Sequence, residues 1–275
     1  MSVKRRFKNQ LVNLSNKKYL KESPPIPKLM HIELSNACNH ACLFCSNPLM
    51  QRKKKIADDK LVYKVLNEAS DIGVKEVGLY STGEPFIFKE LDKIISHCKK
   101  LKFEYIFISS NGAMATPDKV VPVINAGLDS IKFSINAATR KTYKLIHQKD
   151  DWTKVIKNLN FIKKYILTKK INLKLYASFV VMKQNIHEKK LFLKKFENIF
   201  DEILFHNCDT QGGQMNEAQK ILSVDNDFSL KTPKAQSNVC TMPFNRFHIS
   251  AEGYLTMCCV DYHNYLAISD LNNIS

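Results

Sequence analysis

Apolar positions along the chain follow two alternating rhythms. Short β-branched and aromatic runs predict strands at Leu29 to Leu34, Glu76 to Tyr80, Glu104 to Ser109, Ser130 to Ile135, Leu173 to Met182 and Glu202 to His206. Between them the spacing lengthens to the helical period. Helices are expected from Asp58 or Asp59 to about Ser70, from about Lys89 to Lys100, from Thr116-Pro117 to Gly127, over the pair 139–146 and 151–168, and from about His187 to Phe196. Six strand–helix units in series imply a parallel sheet with right-handed crossovers. A closed eight-unit barrel takes about 250 residues. Residues 29–208 hold six units, so the expected class is α/β, an open partial (β/α)6 barrel of the TIM type.

The flanks follow other patterns. Residues 1–28 are basic and end in Ser23-Pro24-Pro25-Ile26-Pro27, with Phe7, Leu11 and Leu14 at helical spacing. They are read as an N-terminal extension that docks on its own domain rather than lying on an anionic membrane. Residues 209–239 contain Gly212-Gly213 and a polar stretch, and are read as a linker. Residues 240–275 carry two short strands, Arg246 to Ser250 and Tyr254 to Cys258, around a Glu252-Gly253 turn. This small β-containing appendage is too short to fold alone without a staple.

Composition narrows the chemistry. With 275 residues, 44% of them hydrophobic, the chain can build one sizeable core. No run reaches the roughly 18 apolar residues of a membrane span, and no secretory pattern opens the chain, so a cytoplasmic location is expected. Eight cysteines in that setting point to metal or redox chemistry rather than a disulfide framework. The net charge of +16 rests mostly on lysines scattered along helices. Recognition of phosphates by planar forks favours arginine, so a nucleic-acid surface is disfavoured. The same field suits an acidic electron carrier such as a flavodoxin.

Cys38, Cys42 and Cys45 crowd into eight residues of loop directly after the first strand, with spacing C-x3-C-x2-C. Three thiols so close are built to hold one object. Structural zinc takes four ligands, and His31 or His40 could supply the fourth. An iron–sulfur cluster on three thiolates leaves one iron open to a small molecule. With the aromatic Phe44 just before the third cysteine, the loop resembles that of the radical S-adenosylmethionine (SAM) enzymes. Ser81-Thr82-Gly83-Glu84-Pro85, after the second strand, resembles the family's Gly-Gly-Glu-Pro segment, with Thr82 in place of the first glycine.

The resemblance implies a [4Fe–4S] cluster on Cys38, Cys42 and Cys45 with SAM on the open iron. It places Phe44 beside the cofactor and Thr82, Gly83, Glu84 and Pro85 around the SAM amino group. Ser109, Asn111, Ser134 and Asn136 would reach its carboxylate and ribose, and Met182 its adenine. It also implies reductive cleavage of SAM to a 5′-deoxyadenosyl radical that abstracts hydrogen from a substrate.

In the appendage, Cys240-x12-Gly253-x4-Cys258, followed by Cys259-x-Asp261, resembles the start of a SPASM/twitch auxiliary-cluster domain. That implies a second iron–sulfur cluster on Cys240, Cys258 and Cys259, with Cys208, Asp261, His263 or the substrate as fourth ligand. The further cysteines of a full SPASM domain do not follow, so a shortened form is expected. Cys208, past the sixth strand, is also a candidate hydrogen-atom donor, whereas Cys98 is read as structural.

The expected function is a radical SAM oxidoreductase acting on a small polar substrate, sugar-like or phosphorylated, with the second cluster accepting an electron. Two alternatives stay open. One is a peptide-modifying radical SAM enzyme, an epimerase or cross-link former that uses Cys208. The other, outside the enzymes, is a zinc-stapled basic RNA-binding protein.

Overall fold

A computed structural model describes residues 24–224, 240 and 242–274. Phe7, Leu11 and Leu14 of the basic extension, and the second half of the expected linker, lie outside the described residues. Six parallel strands follow one another across the sheet: β1 (Leu29–Ile32), β2 (Glu76–Gly78), β3 (Tyr105–Ser110), β4 (Ser130–Ser134), β5 (Lys174–Val181) and β6 (Glu202–Asn207). Helices α1 (Asp59–Asp71), α2 (Leu91–Lys100), α3 (Pro117–Asn125), α4 (Arg140–His147), α5 (Trp152–Thr168) and α6 (Lys189–Phe196) fill the crossovers.

One face of the sheet supplies the core. Met30, Ile32, Val77, Ile106, Ile108, Ile131, Phe133, Leu175 and Phe179 pack there against the helices in one continuous cluster. The helices answer with stripes at their own period. Helix α1 buries Leu61, Val62, Val65, Leu66 and Ala69, and α5 buries Val155, Leu159, Ile162 and Ile166. Each of these Leu, Ile and Val side chains contributes about 1.5–3 kcal/mol. Asp58 starts α1 by accepting a hydrogen bond from Leu61 N at 3.1 Å.

Strand periodicity sends the alternate residues to the other, inner face. His31, Phe107, Ser109, Lys132, Ser134 and Ser178 stand there, a mostly polar set on a sheet whose outer face is apolar. Parallel sheets are ordinarily apolar on both faces. The polar inner face therefore marks where the fold gives up packing for chemistry.

The sheet does not stop at six strands. Strand β7 (Arg246–Ile249) runs parallel to β1, with Leu29 opposite Arg246 and Ile32 opposite Ile249. Strands β8 (Tyr254–Thr256) and β9 (Ala267–Asp270) continue antiparallel from it, giving the order β6-β5-β4-β3-β2-β1-β7-β8-β9. All four residues of β1 are buried, as befits a strand paired on both edges. The appendage thus carries the barrel sheet onward instead of forming a detached hairpin. Within the stretch read as linker, helix α7 (Asn216–Leu222) forms because Leu222 finds an apolar seat against Met182 and Cys208.

Candidate active site

The cysteine loop leaves β1 and is held by polar ties on every side. Ala37 O accepts from Glu84 N at 2.8 Å, and Asn47 Nδ2 donates to Asn36 O at 2.8 Å and Thr82 O at 2.9 Å. Asn36 Oδ1 accepts from Lys55 N at 2.7 Å. On the far side Leu43 N donates to Ile146 O at 2.9 Å, so the end of α4 forms one wall of the loop. Each thiol has a polar neighbour. Asn111 Nδ2 lies 3.9 Å from Cys38 Sγ, His147 Nδ1 lies 3.3 Å from Cys42 Sγ, and Asn47 N donates to Cys45 Sγ at 3.4 Å. Burial pushes Cys38 up to about 11 and raises Cys42 and Cys45 as well. Three half-buried thiols, Cys38 and Cys45 with an N–H group aimed at them, form a soft donor set, which fits an iron–sulfur group.

Gly83 lets the second expected segment lie against this loop. A Cβ at this position would sit 2.1 Å from Ser35 O and 2.5 Å from Ala37 O. Thr82 N donates to Glu33 Oε1 at 3.1 Å, and Thr82 Oγ1 also bonds that oxygen. Glu84 is buried and turned away from open space. It accepts from Ser110 Oγ at 2.8 Å, Asn111 N at 2.9 Å and Phe86 N at 3.3 Å. Its carboxylate therefore holds the end of β3 in place, while the backbone beside it faces the cysteine loop.

Burial pushes Glu84 up to about 7 against these hydrogen bonds. Between about pH 4.5 and 7 the folded chain keeps a proton that the unfolded chain has released. This group's contribution to stability therefore falls as pH rises through that window, by on the order of 3 kcal/mol. Denaturant midpoints of the cluster-free chain between pH 5 and 8 should show this slope. Glu84→Gln should flatten it.

The later strand ends divide into two groups. Ser109 faces inward beside Lys132, and Ser134 Oγ lies 3.0 Å from Ser178 Oγ on the same face. Asn111 bridges to the loop through Asn39 Oδ1 at 2.8 Å. Asn136 and Met182, by contrast, have no exposed surface. Asn136 has a φ of 56° and ties β4 to β5 through a 2.8 Å bond from Val180 N. Met182 packs with Cys208, Ile146 and Leu222, and Leu43 and Phe44 of the cysteine loop lean on this cluster. Cys208 is thus near the loop but enclosed, its thiol pushed up to about 11 by burial.

Several residues absent from the sequence reading organise the site. Glu33, next to the loop, accepts from Arg52 Nη1 at 3.0 Å and Ala251 N at 3.1 Å. Arg52 also pairs with Glu252 and donates to Tyr262 O at 2.7 Å. This buried network joins the cysteine loop to the appendage. A charged residue in the strand-like run Leu29 to Leu34 was the signal available for Glu33. His147 gave none, because the histidine of an amphipathic helix has many ordinary uses.

A small cleft opens between β1, the Thr82 segment and the appendage, lined among others by His31, Thr82, His248, Cys258, Cys259 and Asp261. Burial raises the Cys259 thiol, and the charges of Cys258 and Cys240 also bear on it. Of the expected fourth ligands, Asp261 lines this cleft with Cys258 and Cys259. Asp261 accepts from Tyr265 N at 3.0 Å and Leu266 N at 2.8 Å, and His263 Nδ1 accepts from Gln51 N at 3.3 Å. Burial raises the Tyr262 phenol, and the charges of Cys45 and Cys259 both bear on it.

Residues 32–191 match the family model described as the Radical SAM superfamily, more than half of the chain. A probable GTP 3′,8-cyclase of Saccharolobus solfataricus is 29% identical over 170 residues, covering 62% of this chain and 53% of that one. Streptococcus suis SuiB bound to its precursor peptide SuiA superposes with a TM-score of 0.71 at 16% identity, covering 98% of this chain and 66% of that one. BtrN in complex with AdoMet and 2-DOIA gives 0.55 at 14% identity, covering 90% and 79%. These two likenesses establish the fold. The chain spans about half the length of curated relatives such as this cyclase. Among the described residues no helix is long and apolar enough to cross a membrane.

Proposed function

The chain belongs to the radical SAM superfamily, and from that premise we propose that it oxidises a small polar substrate, sugar-like or phosphorylated, inside the partial barrel. The family's cofactors are a [4Fe–4S] cluster and SAM. When bound, they supply a 5′-deoxyadenosyl radical that removes a hydrogen atom from the substrate. Cys38, Cys42 and Cys45 would hold the cluster, and the backbone at Thr82 and Gly83 would meet the SAM amino group. Cys240, Cys258 and Cys259 would hold an auxiliary cluster that takes the second electron, while the proton leaves to solvent.

The observation that carries this reading is Lys132. Its Nζ lies over the Tyr80 ring, 5.5 Å from the centroid, and among the described residues it forms no ion pair. Burial, and then the charge of Lys132, pushes His206 down to about 4. A half-buried cation among Ser109, Ser134 and Ser178 suits a hydroxylated or anionic substrate better than an apolar one.

Peptide modification is the second reading, favoured by the protonated Cys208 thiol beside Met182 and Phe44. The anaerobically reconstituted protein, given SAM and dithionite, should form 5′-deoxyadenosine faster in the presence of phosphorylated or amino sugars than of peptides. A product oxidised by two electrons and free of solvent deuterium is expected. Stimulation by a peptide, with deuterium entering a residue from heavy water, would sink the oxidation reading.

A further inference from the structure

His40, Cys42 and His147 bring their ligand atoms within 4.8 Å of one another. His40 and His147 are buried, and Cys42 is half-buried between them. The far nitrogen of each imidazole is already spoken for. His40 Nε2 lies 3.1 Å from Asp151 Oδ2, and His147 Nε2 lies 2.8 Å from Ile135 O. Both partners accept hydrogen bonds only, so each Nε2 carries the hydrogen and each Nδ1 presents a lone pair. His147 Nδ1 faces Cys42 Sγ at 3.3 Å, and His40 Nδ1 is buried with no hydrogen-bond partner.

A buried acceptor left unmet is costly and calls for an explanation. Two imidazoles oriented by a carboxylate and a backbone carbonyl, with a thiol between them, have the outer shell that metal-binding histidines ordinarily show. We propose that the cluster-free chain binds one zinc ion on His40 Nδ1, Cys42 Sγ and His147 Nδ1, and that zinc and the cluster exclude each other at Cys42. Binding forms two Zn–N bonds and one Zn–S bond and releases the thiol proton to solvent. Nitrogen and sulfur ligands prefer Zn2+ to Fe2+, and three protein ligands leave a fourth position for water. Cys38 and Cys45 take no part, which separates this site from a zinc ion held by the three-cysteine loop.

The test is a zinc titration of the cluster-free chain against a chromophoric chelator, with Co2+ as a spectroscopic stand-in. One tight equivalent is expected, with a Co2+ spectrum showing a single thiolate. His147→Ala and His40→Ala should each weaken binding by at least about tenfold, on the scale set by metal outer-shell losses. Cys38→Ala and Cys45→Ala should leave zinc affinity unchanged, although both remove cluster loading. These two variants keep the histidines and report the site even if a histidine variant fails to fold. Zinc-loaded chain should take up iron and sulfide only after chelation. The proposal is overturned if Cys38→Ala or Cys45→Ala weakens zinc as much as His147→Ala does, if cobalt reports two or three thiolates, or if no tight equivalent is found.

Discussion

Cys42→Ala should bring SAM cleavage down to background, a loss well beyond the ~100-fold that follows removal of an outer-shell partner. The thiol lies at the centre of the loop, between Cys38 and Cys45 in sequence and against His147 in space. Two thiols cannot hold a cluster that the family binds on three. The backbone around it keeps its ties, because Leu43 N to Ile146 O and Glu84 N to Ala37 O do not involve the side chain. The variant should therefore stay folded and colourless. Iron content and 5′-deoxyadenosine formation under anaerobic dithionite reduction give the readout. Cleavage that survives the substitution would refute the assignment of the loop. A wild-type protein that purifies colourless and zinc-loaded, and that still cannot cleave SAM once the zinc is chelated and the cluster reconstituted, would favour the RNA-binding alternative.

Gly83→Ala should be the most damaging single-methyl change in the site. The added Cβ would meet two backbone oxygens, Ser35 O at 2.1 Å and Ala37 O at 2.5 Å, and neither can rotate aside as a side chain could. Relief requires the cysteine loop to move away from the Thr82–Glu84 segment. That movement breaks the 2.8 Å bond from Glu84 N to Ala37 O and spoils the bridge that Asn47 makes between Asn36 O and Thr82 O. Overpacking of this kind costs about 3 kcal/mol or more, and the displaced loop should retain cluster poorly. Denaturant midpoints and iron per chain measure the two effects separately. A variant that matches wild type in both would show that the segment does not press on the loop.

Most of the barrel was legible in the sequence because its signals are local. Period-two runs gave β1 to β6, and the amphipathic stripes gave the helices between them within a few residues. The cysteine spacing carried the cofactor because ligand geometry is written in neighbouring positions. What escaped depends on distant partners. Nothing near Arg246 announces that β7 will pair with β1, since a short strand reads alike in a hairpin and at a sheet edge. Leu222 looks like one apolar residue in a polar stretch until Met182 and Cys208 come to meet it. Glu84 was read as facing an ammonium ion, yet its carboxylate is engaged by Ser110 and Asn111. A carboxylate immediately after a close-approach glycine reads the same in either arrangement. His40 and His147 are 107 positions apart, and only the fold brings their rings within 5.3 Å.

The pairing of β1 with β7 also sets an order of events during synthesis. Leu29 leaves the ribosome roughly two hundred residues before Arg246, its partner, an interval of about ten to forty seconds at ordinary elongation rates. Through that interval one edge of the strand that feeds the cysteine loop has no neighbour, and Glu33 waits for Ala251 to arrive. An unpaired edge is a template for unwanted association. The nascent chain therefore passes through a stage in which its metal-binding loop is made and its neighbouring wall is still missing. Iron delivery, chaperone capture and aggregation compete for that stage, and the arrival of β7 closes it.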